Sequence, residues 1–359
     1  MMITDRRQRA SVLLAEYDLG ALLFCARENL RYLCGFTGSD GVLLLTAGHS
    51  LFLTDSRYTT QAQTQVSADR VEEYRLQADA VVAALRDAGV RRIGFEASLA
   101  YGKVNDLRTR GEATWEWRPL REELEGLRLV KSGPEIAAIE AAAQLNATAF
   151  AEVETLLRPG TGERDVALAL EFALKRRGAE EKAFDFIVAS GERGALPHGV
   201  ASGRHLAQGE LVTIDFGCRV DGYHADETVT VAIGTVADEL RRVFDIVLTA
   251  HDLALAAVAP GLPVCELDRV AREHITAAGY GENFGHGLGH GVGLDVHEAP
   301  TVSSRSKAVV QEGMVFTIEP GIYLPGVGGV RIEDMVLATA AGSRVLTRIP
   351  KQFRNLLAR

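Results

Sequence analysis

"LVTIDFG" at residues 211–217 returns as "VFTIEPG" at residues 315–321, and the reading of this pair decides the fold. Each is a short apolar run closed by a carboxylate and a glycine. A second echo lies upstream of both, where "RPGTGERDVALAL" (158–170) resembles "APGLPVCELDRVA" (259–271). The two offsets, 104 and 101 residues, are close enough to be one period. A Pro-Gly turn leading into a helix, then a strand ending in an acid, met twice at one spacing, describes a duplicated unit. Duplication makes Asp215 and Glu319 equivalent. Each is followed by a turn and another strand with a further acid, Asp226 in "GYHADETVTVAI" and Glu333 in "VRIEDMVLA".

Two equivalent hairpins bring four carboxylates toward one centre. A lone Asp at a strand end is ordinarily a turn or cap residue. Four acids at duplicated positions inside apolar strands would instead press charge against the core. Their mutual repulsion is prohibitive unless they are protonated or neutralised by cations, so the spacing predicts a metal site.

Between the halves' acids lies "FGHGLGHGVGLDVHE" (284–298), with His286, His290 and His297 and a glycine at every odd position from Gly285 to Gly293. Four carboxylates and one imidazole make an oxygen-rich, thiolate-free set, suited to a pair of Mn, Co, Fe or Zn ions and less to a structural zinc. Two such ions about 3.5 to 4 Å apart can bridge a water, lower its pKa and polarise a carbonyl, which is amide hydrolysis. Strand alternation puts His286 and His290 on one face and His297 on the other, so the strand must bend or bulge if His290 and His297 both face the metals. The glycines permit that bend. His198, in "ALPHGVASG", lies 99 residues before His297, near the repeat offset, and is the expected pseudo-symmetric partner.

The chain has 359 residues, 47% of them hydrophobic and 24% charged, which predicts two globular domains. A net charge of −9 without a basic cluster excludes nucleic acid and anionic membranes as partners. No apolar run reaches bilayer length and the opening "MMITDRRQRASVLL" lacks a signal-peptide core, so a cytoplasmic protein is expected. Cys25, Cys34, Cys218 and Cys265 form no CxxC pair and are expected to be reduced, structural thiols. Residues 1–125 alternate strands ("ALLFCA", "GVLLLTAG", "SLFLTD") with helices such as "DAVVAALRDAG", an α/β domain. A charged stretch with Pro119, Gly126, Gly133 and Pro134 places the boundary near residue 126, with a long helix starting near Pro134 and the duplicated domain occupying 126–359.

As a set, IDFG followed by GYxxD, GHGxGHxxGLDVHE, TIEPGIY and VRIED, with "ENLRYLCGFTGSDGVLLLT" and "LFLTDSRYTTQA" upstream, resembles one family across the whole chain. It is the proline-specific metallopeptidases of the pita-bread fold, the prolidase (Xaa-Pro dipeptidase) and aminopeptidase P group. The resemblance implies a mixed α/β (α+β) protein, a small creatinase-like N-terminal domain before a pita-bread catalytic domain. It implies five ligands to two divalent metal ions, manganese or cobalt, with zinc or iron as alternatives: Asp215, Asp226, His290, Glu319 and Glu333. In that family the ligand histidine precedes the "DVH" histidine by seven residues, which selects His290 over His286. Asp215 and Asp226 would hold one ion, His290 and Glu319 the other, and Glu333 would bridge. Water held between the ions would attack the carbonyl before proline, Glu319 accepting its proton. His297 and His198 would hydrogen-bond the substrate carbonyl, the tetrahedral intermediate or the leaving nitrogen. His286 would line the proline pocket, while Tyr323 and Arg331 would support the ligands or touch substrate. Small proline peptides as substrates and a homodimer are also implied.

The chain departs from the family's S-D-[IM]-T-R-[TV], reading Ala225, Asp226, Glu227, Thr228, Val229. The common arginine is gone, and the added acid Glu227 is expected to adjust preference for a charged substrate terminus. The expected activity is Xaa-Pro dipeptidase, favoured by the short chain and compact N-terminal domain. Aminopeptidase P, which removes the first residue from longer Xaa-Pro peptides, is the alternative. Methionine aminopeptidase lacks this N-terminal domain, a creatine-hydrolysing relative is expected to lack the five ligands, and peptide- or histone-binding modules of the fold lose them.

Overall fold

The computed structural model describes residues 2–357. The chain divides into two compact units, Met1–Arg128 and Leu129–Arg359. In the first, a sheet is built from β1 (Ala21–Phe24), β2 (Val42–Thr46), β3 (His49–Thr54), β4 (Arg70–Glu73), β5 (Arg92–Glu96) and β6 (Glu116–Leu120), in the order β4-β3-β2-β1-β5-β6. β1 and β2 are apolar runs buried nearly along their length, as a strand covered on both faces must be. The helix Gln77–Asp87 presents Val81, Val82 and Leu85 to the same core as Leu23, Leu44 and Phe95. It stops before Gly89, whose φ of 64° is left-handed backbone that glycine adopts without strain.

The second unit opens with the helix Gly133–Val153. Ser132 caps it, Glu135 completes a capping box, and Pro134 sits in the first turn, where its missing N–H is harmless. Two strand systems follow, and they share one connectivity. In the first half, β7 (Glu181–Lys182) and β8 (Ile187–Ser190) precede β9 (Glu210–Phe216), the short hairpin β10 (Cys218–Val220) and β11 (Tyr223–His224), and β12 (Glu227–Ile233). β12 lies antiparallel to β9. In the second half, β13 (Gly289–Gly291) and β14 (Glu298–Val302) precede β15 (Val315–Ile318), the hairpin β16 (Gly321–Leu324) and β17 (Gly328–Arg331), and β18 (Asp334–Thr339), with β19 (Gly342–Val345) at the edge. β18 lies antiparallel to β15. Strand, hairpin excursion, return strand occurs twice, so the repeat at offsets of 101 and 104 residues is a repeat of topology.

Each half also carries helices after its Pro-Gly turns, Glu163–Arg176 in one and Val264–Ala277 in the other. The helix Asp238–Ala257 joins the halves, and its Val243, Phe244 and Val247 are fully buried against Phe316, Ile322 and Val330. Each such side chain contributes roughly 1.5–3 kcal/mol, which fixes the acid-bearing strands on their inner face. No described helix is long and apolar enough to cross a membrane.

Candidate metal centre

Strand alternation places the acids. Asp215 lies on β9 opposite Thr228 of β12, Asp226 immediately precedes β12, Glu319 immediately follows β15, and Glu333 immediately precedes β18. Asp226 is 4% exposed and Glu333 2%, so both would be costly as isolated charges. Thr228 Oγ1 donates to Glu333 Oε2 at 2.7 Å, and Thr317 Oγ1 donates to Glu319 Oε1 at 3.1 Å. Each threonine stands two residues from an acid (Asp226, Glu319) and so on the same strand face. That period was legible in the sequence, although neither threonine was singled out.

Ligand atoms of Asp226, His290 and Glu333 all lie within 4.8 Å of one another. His290 Nε2 is 3.6 Å from Asp226 Oδ2 and 3.3 Å from Glu319 Oε1. Its Nδ1 is 3.1 Å from the Gly291 carbonyl, an arrangement that places the proton on Nδ1 and turns Nε2 toward the carboxylates. Asp215 is held differently, its Oδ2 accepting from Arg331 NH2 at 2.6 Å. Oδ1 of Asp215 and of Asp226 are buried without a hydrogen-bond partner. Convergent carboxylates with unpartnered buried oxygens, beside an imidazole whose Nε2 is turned inward, fit a divalent cation. The nearest cysteine in sequence, Cys218, is spent on the Ala142 carbonyl at 3.4 Å.

Electrostatics agree. Burial, then the charge of Asp215, pushes Asp226 well above the carboxylate range, and burial with the charges of Asp226, Glu319 and Asp215 does the same to Glu333. Burial alone would lower His290, but the hydrogen bond and charge of Glu319, with Asp226, push it up to about 9. Burial alone would raise Glu319, but the same bond and the charges of His290, His286 and Arg331 hold it at about 2. Without a cation the cluster therefore keeps protons, and a bound ion must displace them.

The sequence expects the strand to bend or bulge between His290 and His297, and a bulge-like register shift is found there together with a turn. β13 and β14 form an antiparallel hairpin, the shift falling between His290 and Gly291. Gly293 N donates to the Asp295 carbonyl at 2.9 Å within the turn. The two imidazoles end 4.1 Å apart between ring centroids. Burial and the neighbouring His290 lower the pKa of His297.

A cleft of about 800 Å³ opens over this cluster, lined by Asp215, Asp226, His290, Glu319, Glu333, His198, His297, His286, Tyr323 and Arg331. His286 Nε2 meets Tyr323 OH at 2.9 Å, Arg331 NH1 donates to the same hydroxyl at 3.0 Å, and NH1 also reaches the Pro197 carbonyl at 3.0 Å. Arg331 thereby joins the loop bearing His198 to Asp215. The cleft also holds two acids that sequence reasoning missed, Asp185 and Glu282, in stretches without repeat or motif.

Glu227 needs correction. It does not line the cleft; it is 0% exposed and bonds to Lys351 Nζ at 2.6 Å. Neighbours on a strand point to opposite faces, so a residue next to inward-facing Asp226 must turn away. Val229, 1% exposed, is an ordinary core residue of β12.

Acids gathered around one imidazole at the base of a cleft are the donor set of a metal-dependent hydrolase. Residues 137–340 match the model of metallopeptidase family M24, and residues 6–130 match that of the Creatinase/Prolidase N-terminal domain. The chain belongs to metallopeptidase family M24. It is 39% identical to an Xaa-Pro dipeptidase of Pyrococcus horikoshii over 94% of this chain and 95% of that protein. Among solved structures, an Xaa-Pro dipeptidase from Bacillus anthracis superposes with a TM-score of 0.95 at 38% identity, covering 99% of this chain and 100% of the other. An X-Pro aminopeptidase from Thermotoga maritima gives a TM-score of 0.88 at 38% identity, covering 97% of this chain and 99% of the other.

Proposed function

We propose that this peptidase hydrolyses the imide bond of Xaa-Pro dipeptides at a pair of divalent ions, manganese or cobalt, held by Asp215, Asp226, His290, Glu319 and Glu333. Zinc and iron are the alternatives. The observation that carries this reading is the buried grouping of Asp226, His290 and Glu333 within 4.8 Å, with the other two acids beside it and histidines lining the cleft above. When bound, the ions lower the pKa of a water and polarise the scissile carbonyl. Glu319, held at about 2, is ionised at neutral pH and accepts the proton of the attacking water. Burial, outweighing the nearby charge of Glu319, lowers His286, and its bond to Tyr323 fixes it as one wall for the proline ring. His297 and His198 hydrogen-bond the carbonyl oxygen or deliver the proton that the proline nitrogen needs to leave as an amine.

One observation favours aminopeptidase P as the second reading. A dipeptide brings a free carboxylate, yet the cleft's arginine is already held by Asp215, Tyr323, Thr228 and the Pro197 carbonyl. Metal-stripped protein restored with Mn or Co, assayed on Ala-Pro and Ala-Pro-Ala with Asp215→Asn as control, separates the two. Metal-dependent cleavage of the dipeptide alone establishes the dipeptidase, and preference for the tripeptide establishes aminopeptidase P. Cleavage of neither, with the control binding metal as well as the parent, means a binding module.

Metal uptake should release protons, because burial and neighbouring carboxylates raise Asp226 and Glu333 and His290 is pushed up to about 9. Affinity for Mn is expected to rise with pH toward about 9, where His290 loses its proton unaided. Calorimetry at pH 7 in two buffers of different ionisation enthalpy should show at least about one proton released per chain. Buffer-independent heats would contradict this protonation pattern.

A homodimer acting in the cytoplasm completes the reading. The four free cysteines suit a reducing compartment, and burial raises the Cys34 thiol to about 11 and Cys218 to about 12, which keeps both unreactive.

A further inference from the structure

We propose that Lys351 is a positioning residue for the metal centre, a single buried ammonium that ties together the two strands whose preceding residues are Asp226 and Glu333. The proposal rests on the metal-centre reading given above. Lys351 Nζ lies 2.6 Å from Glu227 Oε1 and 3.4 Å from Asp334 Oδ1. Glu227 is the first residue of β12 and Asp334 the first of β18, so each follows directly on a proposed ligand. Alternation turns the ligands to the cleft and these two acids to the far side, where one cation holds both.

The side chains involved are enclosed: Lys351 is 6% exposed, Glu227 0% and Asp334 8%. The segment bearing the lysine is laid along β12. Ile349 N donates to Glu227 Oε1 at 3.0 Å, Ala232 N donates to the Arg354 carbonyl at 2.9 Å, and Leu356 N donates to the Ala232 carbonyl at 2.9 Å. On the other acid, Thr347 Oγ1 bonds Asp334, and His251 Nε2 stands 3.1 Å from Asp334 Oδ2.

Stability alone does not account for this arrangement. A buried ion pair is often no better than apolar side chains of the same volume. Here Glu227 Oε2 is also buried without a hydrogen-bond partner, an expense that apolar packing would avoid. What the ammonium does, and a methyl group could not, is set the separation of two particular residues. Moving either strand start moves a ligand carboxylate with it, because one peptide unit joins them. Outer groups that orient metal ligands are typically worth 10–100-fold in metal affinity.

The test is calorimetric titration of Mn into the metal-stripped, full-length protein, its Lys351→Met variant, and the double variant Glu227→Met with Lys351→Met. The double variant removes both partners, so it leaves Glu227's charge out of the core and remains interpretable if the single variant fails to fold. Mn affinity should weaken at least tenfold in both, with circular dichroism unchanged in the double variant. A change of less than tenfold in the folded double variant, beside normal binding by the parent, overturns the assignment of Lys351 alone. Lack of Mn binding by the parent overturns the metal centre and this assignment with it. A purely structural lysine would lower the unfolding midpoint and leave Mn affinity where it was.

Discussion

Asp226→Asn should abolish metal-dependent stabilisation and lower kcat/KM by about 10³-fold, while leaving the metal-free protein as stable as the parent or more so. The activity loss follows from removing a proposed ligand, bound metal supplying several kcal/mol of transition-state stabilisation at about 1.4 kcal/mol per decade. The stability gain follows from the ion-free cluster. Burial and Asp215 push the folded-state pKa of Asp226 well above that of an unfolded carboxylate. A raised acid binds its proton more tightly when folded, so the folded state is penalised progressively as pH rises above about 4. Asn carries no such penalty. Thermal unfolding of metal-free parent and variant between pH 5 and 8 should therefore show a shallower decline for the variant. Retention of a Mn-induced rise in the midpoint, or activity within tenfold of the parent, would remove Asp226 from the centre.

Gly289→Ala should be strongly disruptive, since Gly289, like Gly291, is a position in the glycine tract where an added methyl group would run into a backbone carbonyl. A Cβ on Gly289 would run into the Thr317 carbonyl oxygen and come within 2.7 Å of Thr317 Oγ1. Thr317 is not a passive neighbour: its hydroxyl accepts from His290 N at 3.0 Å and donates to Glu319. The methyl group therefore has to part the strand carrying His290, the proposed ligand, from the strand leading to Glu319. Overpacking against backbone costs about 3 kcal/mol or more, which lowers the unfolding midpoint by roughly 6–12 °C in a unit of this size. Gly285→Ala is the control, because a Cβ there meets nothing within 4 Å. It should shift stability by no more than about 0.5 kcal/mol. Equal midpoints for the two variants would mean that the close approach at Gly289 is not what the tract's glycines serve.

Local rules carried much of this architecture into the sequence. Pro134 marked the start of the long helix, and the apolar runs before Asp215 and Glu319 marked the paired strands. The repeat then linked acids 104 residues apart, a relation that no single segment contains. Partners outside both a repeat and a shared element stayed hidden. Arg331 bonds Asp215 across 116 positions and Lys351 bonds Glu227 across 124, and neither pair shares a spacing rule with the rest. Glu227 was misread for another reason: charge was weighed before parity. Its place next to Asp226 on a strand already turned it away from substrate. At His297 parity served better: it required a bend or bulge, and a register shift after His290 together with a hairpin supplied the approach.

The five proposed ligands are spread from Asp215 to Glu333, and Glu333 comes last along the chain. A growing polypeptide that has emerged only as far as Glu319 holds four of them and lacks the fifth. Such a chain has no strand β18 to set the remaining carboxylate against Asp226, so on the proposed ligand set its centre is incomplete. A chain that stops short of Glu333 is then expected to be inert toward peptides.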